Sequence, residues 1–159
     1  MIEVGSKIPS VQITVVTPDG QESVAADALF AGKKVLLFGL PGAFTPTCSA
    51  SHLPGYVVLA DDIKACGVDM IGCVSVNDAF VMRAWGEQNH AEEITMLADL
   101  GAVFSKALGL DEEKPDLGGT RSQRYAMIID DGVVTRLNVE APKQFEVSDA
   151  KTMLAALSS

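Results

Sequence analysis

The chain has 159 residues, enough for one domain whose buried core needs no disulfide support. Twelve basic residues stand against 21 acidic ones, a formal net charge of −9, and no run of Lys or Arg offsets it. An electrostatic grip on nucleic acid or on an anionic membrane surface is therefore excluded as the basis of its function, while small neutral substrates remain open.

The first residues, Met1-Ile2-Glu3-Val4-Gly5, lack the basic start and apolar core of a secretory signal. No apolar stretch is long enough to span a bilayer, so a cytosolic protein is expected. Val11 to Val16 alternates weakly and ends at Thr17-Pro18-Asp19-Gly20, which predicts a strand and a turn. Residues 33 to 40 form a nearly continuous apolar run between Gly32 and Pro41, as expected of a strand covered on both faces. Pro46 to Ala65 is helical in pattern, with a kink expected at Pro54-Gly55 and a stop at Gly67.

A second buried strand follows from Val68 to Val76. Asn77-Asp78 can cap a helix over Ala79 to Gln88, Ile94 to Ala98 reads as a short strand, and Val103 to Leu108 as a short helix. Gly118-Gly119-Thr120 lacks a leading strand and a following helix, so it predicts a turn rather than a phosphate cradle. Arg124 to Ile129 and Val133 to Val139 flank Asp130-Asp131-Gly132 as a hairpin, and Ser148 is placed to cap a last helix ending near Leu157. Strand-helix-strand units followed by an antiparallel hairpin and a final helix predict an α/β fold with a central mixed sheet of the thioredoxin kind, flanked by helices.

The segment Pro41-Gly42-Ala43-Phe44-Thr45-Pro46-Thr47-Cys48 follows the apolar strand directly. Thr45 suits an N-cap and Pro46 the first helical position, which puts Cys48 at the third, facing backbone N–H groups without intrahelical acceptors and the positive end of the helix dipole. Both favour the thiolate, the nucleophilic form of cysteine. The dipole alone is too weak, since a helix end contributes about 0.3 to 1 kcal/mol, whereas a cation about 4 Å away contributes on the order of 4 kcal/mol at an effective dielectric near 20. A nearby arginine or lysine is therefore predicted. Arg124 stands out because it opens the apolar strand Tyr125-Ala126-Met127-Ile128-Ile129 and so reaches the rim of the sheet.

Three segments together carry a resemblance: Pro-x-x-x-Thr-x-x-Cys at 41 to 48, Val74-Ser75-Val76-Asn77-Asp78 with Phe80 and Trp85, and Arg121-Ser122-x-Arg124-Tyr125. In these, over most of its length, the chain resembles type II, peroxiredoxin-5-like peroxiredoxins. The resemblance implies a thioredoxin-fold thiol peroxidase without metal or prosthetic group, acting on hydrogen peroxide and alkyl hydroperoxides through a cysteine sulfenic acid. It implies Cys48 as the peroxide-attacking nucleophile, Thr45 as a hydrogen-bond partner of the peroxide, Arg124 as the group that holds the thiolate, and Pro41 as a shield against water. It also implies a homodimer, with loops carrying some of Phe44, Phe80, Trp85 and Leu117 packed across the interface.

Reduction of the sulfenic acid is the open step. Val147-Ser148 stands where some relatives carry a resolving cysteine, and Cys73, 25 residues after Cys48, matches the spacing of a second cysteine in other members. Cys73 lies within a predicted buried strand, so a disulfide with Cys48 requires local unfolding. Cys66 is a weaker partner, and packing is the leading reading for both. Direct recycling of Cys48 by glutathione or glutaredoxin is expected, with thioredoxin as the competing reductant. His52 reads as a structural histidine, because a thiol already ionised by Arg124 needs no base. The rival function is a non-catalytic redox sensor in which oxidation of Cys48 alters binding to a partner protein. A disulfide oxidoreductase is disfavoured by the missing C-x-x-C.

Overall fold

A computed structural model describes residues 1–158. In chain order the elements are β1 (Gln12–Thr17), β2 (Gly20–Ala25), α1 (Ala26–Phe30), β3 (Lys34–Gly39), α2 (Leu53–Ala65), β4 (Met70–Ser75), α3 (Ala79–Gln88), β5 (Thr95–Ala98), α4 (Val103–Leu108), β6 (Asp111–Lys114), β7 (Gly119–Ser122), β8 (Tyr125–Asp130), β9 (Val133–Val139) and α5 (Ala150–Ser158). Seven strands form one sheet in the order β2-β1-β5-β4-β3-β8-β9, and β6 and β7 make a separate hairpin. The three central strands β3, β4 and β5 are parallel, whereas β1 and β8 join them antiparallel. This is the mixed, helix-flanked sheet that the element order predicts.

The apolar runs divide between two cores because side chains alternate across a strand. Leu36 and Phe38 of β3, Cys73 of β4 and Ala126 and Ile128 of β8 face one layer, which α2, α3 and α5 cover. Val35, Leu37, Val74, Met127 and Ile129 face the other, which α1 and α4 cover. Cys48 belongs to the first layer.

Several expectations shift. The strand at 68–76 is trimmed to Met70–Ser75, and the strands β2, β6 and β7 and helix α1 are not foreseen at all. β2 reads Gly-Gln-Glu-Ser-Val-Ala and lies at a sheet edge, while β6 reads Asp-Glu-Glu-Lys. Neither carries an apolar pattern, and each is recruited by ladder hydrogen bonds to its neighbour.

The cap of α5 is also corrected. Ser148 spends its hydroxyl on the Glu140 carboxylate at 2.7 Å, and the adjacent Asp149 takes its place, accepting from the Thr152 N–H at 3.3 Å. At α3, Asp78 alone is the cap, with Val81 N–H donating to it at 2.8 Å. Asn77 turns away to other work.

The kink expected at Pro54-Gly55 takes a specific form, a π-helical turn over Cys48–His52 that runs directly into α2. Proline has no N–H for the carbonyl four residues back and its ring crowds that carbonyl. Widening the preceding turn removes the clash, and the Leu53 N–H donates to the Cys48 carbonyl instead.

Candidate active site

Cys48 sits where strand β3 delivers the chain into a helix. Thr45 occupies the cap position, with its carbonyl accepting the first helical bond from the Ser49 N–H at 2.9 Å. Its hydroxyl does not cap. It donates to the Gly42 carbonyl at 2.6 Å, which leaves the oxygen lone pairs as acceptors. Three side chains, Asn77, Arg121 and Trp85, hold this turn in place. Asn77 Oδ1 accepts from the Ala43 N–H at 3.0 Å and from the Ser75 hydroxyl at 2.7 Å. Arg121 donates to the Pro41 carbonyl at 3.3 Å and the Leu117 carbonyl at 2.8 Å. Trp85 Nε1 donates to Ser49 Oγ at 3.0 Å. Gly42 permits the packing, because a Cβ there would meet the Arg121 Nη1 at 3.0 Å and the Thr45 methyl at 3.2 Å.

The cation demanded by the charge argument is Arg124. Its Nη2 donates to Cys48 Sγ at 3.1 Å, and Cys48 has no exposed surface. A guanidinium hydrogen bond in such an enclosed place is far stronger than its counterpart in water. Pro41, Thr47 and Arg124 line a cavity of about 270 Å³ beside this turn, together with Lys143 and Phe145.

The polar atoms of His52 are engaged by Arg124 and Ser148. Arg124 Nη1 donates to His52 Nδ1 at 2.8 Å, and His52 Nε2 lies 3.1 Å from the Ser148 carbonyl. A carbonyl only accepts, so Nε2 carries the proton and Nδ1 is the lone pair that receives the guanidinium. The one-turn spacing from Cys48 is visible in the chain, but the partner at residue 124 is not, which is why this contact escapes a sequence reading.

Burial, followed by the Arg124 charge, lowers the His52 pKa from 6.5 to about 3. The sign of its effect on stability follows directly. Below pH 6.5 the unfolded histidine binds a proton that the folded one refuses until about pH 3, so folding stability falls as the pH drops through that window. Partial burial works against ionisation of Glu140, but the Ser148 hydroxyl and the N–H groups of residues 146 to 148 hold its pKa below the usual carboxylate range. Its stabilisation is lost only at more acidic pH. Urea unfolding is therefore expected to show a decline between about pH 6.5 and 4.5 in the wild type that is absent in His52→Asn. An unchanged slope in the variant would remove His52 as the source.

Cys73 lies mid-strand in β4, opposite Phe38 of β3 and Met96 of β5, fully buried, and burial pushes its thiol well above the ordinary range. It shares the core layer of Cys48, whose sulfur accepts from Arg124. Cys66 is the half-buried C-cap of α2, at the opposite end of that helix, with Ser158 Oγ at 3.7 Å. All three cysteines are free. Trp85 is wholly buried, whereas Phe80 is 78% exposed and Phe44, held at a positive φ of 64°, is 49% exposed.

A sequence model of the Redoxin family matches residues 3–154. The chain is 44% identical to Peroxiredoxin-2B of Arabidopsis thaliana across 98% of both proteins. It is 47% identical to the chloroplastic Peroxiredoxin-2E-2 of Oryza sativa subsp. japonica across 98% of this chain and 72% of that one. Among solved structures, reduced Prx3 from Vibrio vulnificus in complex with hydrogen peroxide superimposes with a TM-score of 0.96 at 63% identity, covering 99% of each chain.

Proposed function

This chain belongs to the peroxiredoxins, in their type II branch, and reduces peroxides through a thiol; from that premise we propose that Cys48 is the attacking residue and that glutathione, directly or through glutaredoxin, restores it. The observation that carries the assignment is the 3.1 Å contact between the Arg124 guanidinium and the Cys48 sulfur. Cys66 stands at the C-terminal end of α2, away from a helix N-terminus, and burial outweighs the Arg124 charge at Cys73 and keeps that thiol protonated.

In this reading the Cys48 thiolate attacks one peroxide oxygen in line with the O–O bond. A sulfur–oxygen bond forms, the O–O bond breaks, and the second oxygen leaves as hydroxide or alkoxide that is protonated by solvent, with Cys48 left as the sulfenic acid. Thr45, whose hydroxyl hydrogen is committed to Gly42, accepts the peroxide O–H. Arg124 and the first-turn N–H groups of Thr47 and Cys48 donate to the oxygens where negative charge grows. Pro41, on the rim of the neighbouring cavity, keeps water from the sulfur. The hydrogen peroxide present in the similar Vibrio vulnificus structure supports the smallest member of this substrate class.

Recycling needs a thiol to reach a sulfur that has no exposed surface. The first turn must therefore open, after which a thiol condenses with the sulfenic acid, releasing water, and a second thiol cleaves the mixed disulfide. Cys73 is a poor resolving candidate because its thiol is protonated in the core. A one-cysteine cycle served by glutathione or glutaredoxin fits better than an internal disulfide, and thioredoxin is the competing reductant. The three free thiols suit a reducing compartment. Exposed Phe44 and Phe80 support a homodimer, since both are large apolar side chains left in contact with solvent.

The test is steady-state peroxide consumption with glutathione plus glutaredoxin and separately with the thioredoxin system. Cys73→Ser is expected to retain at least about half of wild-type turnover with glutathione, because a substitution away from the reacting atoms leaves transition-state stabilisation intact. Inactivity of Cys73→Ser there would overturn the one-cysteine cycle. A single stoichiometric oxidation with no turnover in either system would favour the rival reading of Cys48 as a redox sensor acting on a partner protein.

A further inference from the structure

The loop between β9 and α5 is organised around one carboxylate. Glu140 accepts from the N–H groups of Glu146 at 2.9 and 3.0 Å, Val147 at 2.9 Å and Ser148 at 2.8 Å, and from the Ser148 hydroxyl at 2.7 Å. Three consecutive amides and a hydroxyl converging on one anion make a rigid knot, and its output is the orientation of the Ser148 carbonyl. That carbonyl accepts from His52 Nε2 at 3.1 Å and from the Tyr56 hydroxyl at 2.7 Å. His52 in turn receives Arg124 Nη1, and Arg124 Nη2 reaches the sulfur. The backbone closes the same circuit, because the Glu140 N–H donates to the Arg124 carbonyl at 3.0 Å. Phe145, carried on the knotted loop, packs its ring 5.0 Å from that of His52 and 5.8 Å from the Arg124 guanidinium carbon.

We propose that Glu140 is a positioning residue for peroxide reduction, aiming the Arg124 guanidinium at Cys48 through Ser148 and His52. The inference rests on the assignment of Cys48 and Arg124 as the reacting pair. Its physical basis is that Arg124 has a long side chain with several soft torsions, and a bidentate fork contributes most when both nitrogens have fixed targets. One target is the sulfur. The other is a histidine lone pair whose direction depends on a carbonyl that the Tyr56 hydroxyl contacts and that the Glu140 knot orients through the Ser148 N–H and hydroxyl. The loop has a separate anchor, since Asn138 Nδ2 donates to the Val147 carbonyl at 2.8 Å. Loss of the carboxylate therefore loosens the Ser148 carbonyl rather than releasing the whole segment.

The experiment measures the rate of Cys48 oxidation by hydrogen peroxide in a single turnover, followed by fluorescence of Trp85, the one tryptophan in the chain. Wild type, Glu140→Gln, Arg124→Lys and the double variant are compared below their unfolding midpoints. Glu140→Gln is expected to slow oxidation about tenfold or more in the Arg124 background and at most about twofold when Arg124 is already Lys, because residues acting through one another are not additive. Nitrogen-15 NMR of His52 supplies an independent readout: loss of the single Nε2–H tautomer is expected in Glu140→Gln. A wild-type rate, an unchanged His52 tautomer, or equal slowing in both backgrounds would overturn the positioning role. Absence of oxidation in the wild type would instead sink the assignment of the site itself. Should Glu140→Gln fail to fold, Glu140→Asp is read in its place. It keeps the charge on a shorter arm, and a wild-type rate there would overturn the proposal.

Discussion

Serine at position 48 is expected to lower peroxide consumption on the order of a thousandfold or more with every reductant, while circular dichroism and the unfolding midpoint stay close to wild type. The hydroxyl is smaller than the thiol and still accepts the Arg124 donor, so the buried site keeps a partner for each polar group. What disappears is the nucleophile. An alcohol does not ionise at neutral pH under the influence of one guanidinium, and it has no counterpart of the sulfenic acid that stores the transferred oxygen. Residual activity above about a tenth of wild type in a peroxide assay would move the chemistry to Cys66 or Cys73 and refute the assignment.

Removal of the guanidinium comes second. Arg124→Ala is expected to reduce the peroxide reaction about 10²- to 10³-fold, the effect typical of losing one preset donor to a developing oxyanion. Two further losses act in the same direction. The sulfur is left in a buried site without its cation, and the His52 lone pair at 2.8 Å is left without its donor. Arg124→Lys separates the contributions, because an ammonium restores the charge but cannot fork to the sulfur and the imidazole together. Its expected rate lies between wild type and Arg124→Ala. Initial rates of peroxide consumption and of Cys48 alkylation at pH 7 both report the change, and a loss under about threefold in Arg124→Ala would remove the residue from the mechanism.

The order of these effects reflects distance from the reacting atoms. In the proposed assignment Cys48 carries the bond that forms, Arg124 touches that atom, and His52, Ser148 and Glu140 act through Arg124. Each successive layer is expected to cost less in rate and more in alignment, which is why the tautomer of His52 is a sharper readout for Glu140 than turnover is.

Much of this site was legible in the chain. The apolar strand at 33–40, the break at Pro41 and the helix start at Thr45-Pro46 are written in adjacent residues, and the structure places them as β3 (Lys34–Gly39) running into a helical turn that begins one residue after Thr45. The need for a cation followed from comparing a helix end with a full charge. Other assignments failed because the deciding partner was remote. Ser148 looks like a cap for α5, yet its hydroxyl is taken by Glu140, and Asn77 looks like half of a cap for α3 but holds Ala43 across 34 residues. β2 and β6 are polar segments whose strand character comes from the neighbour they pair with.

The local chain determined where the thiol stands, because a strand, a proline and the helical turn that follows are settled within about fifteen residues by periodicity and backbone sterics. Only the tertiary structure decided what surrounds it. Antiparallel pairing of β8 with β3 brings Arg124 across 76 residues to the sulfur, and the knot at Glu140 brings Ser148 across 96 residues to His52. Such contacts depend on strand order and on the path of a loop, which the residues meeting there do not encode on their own.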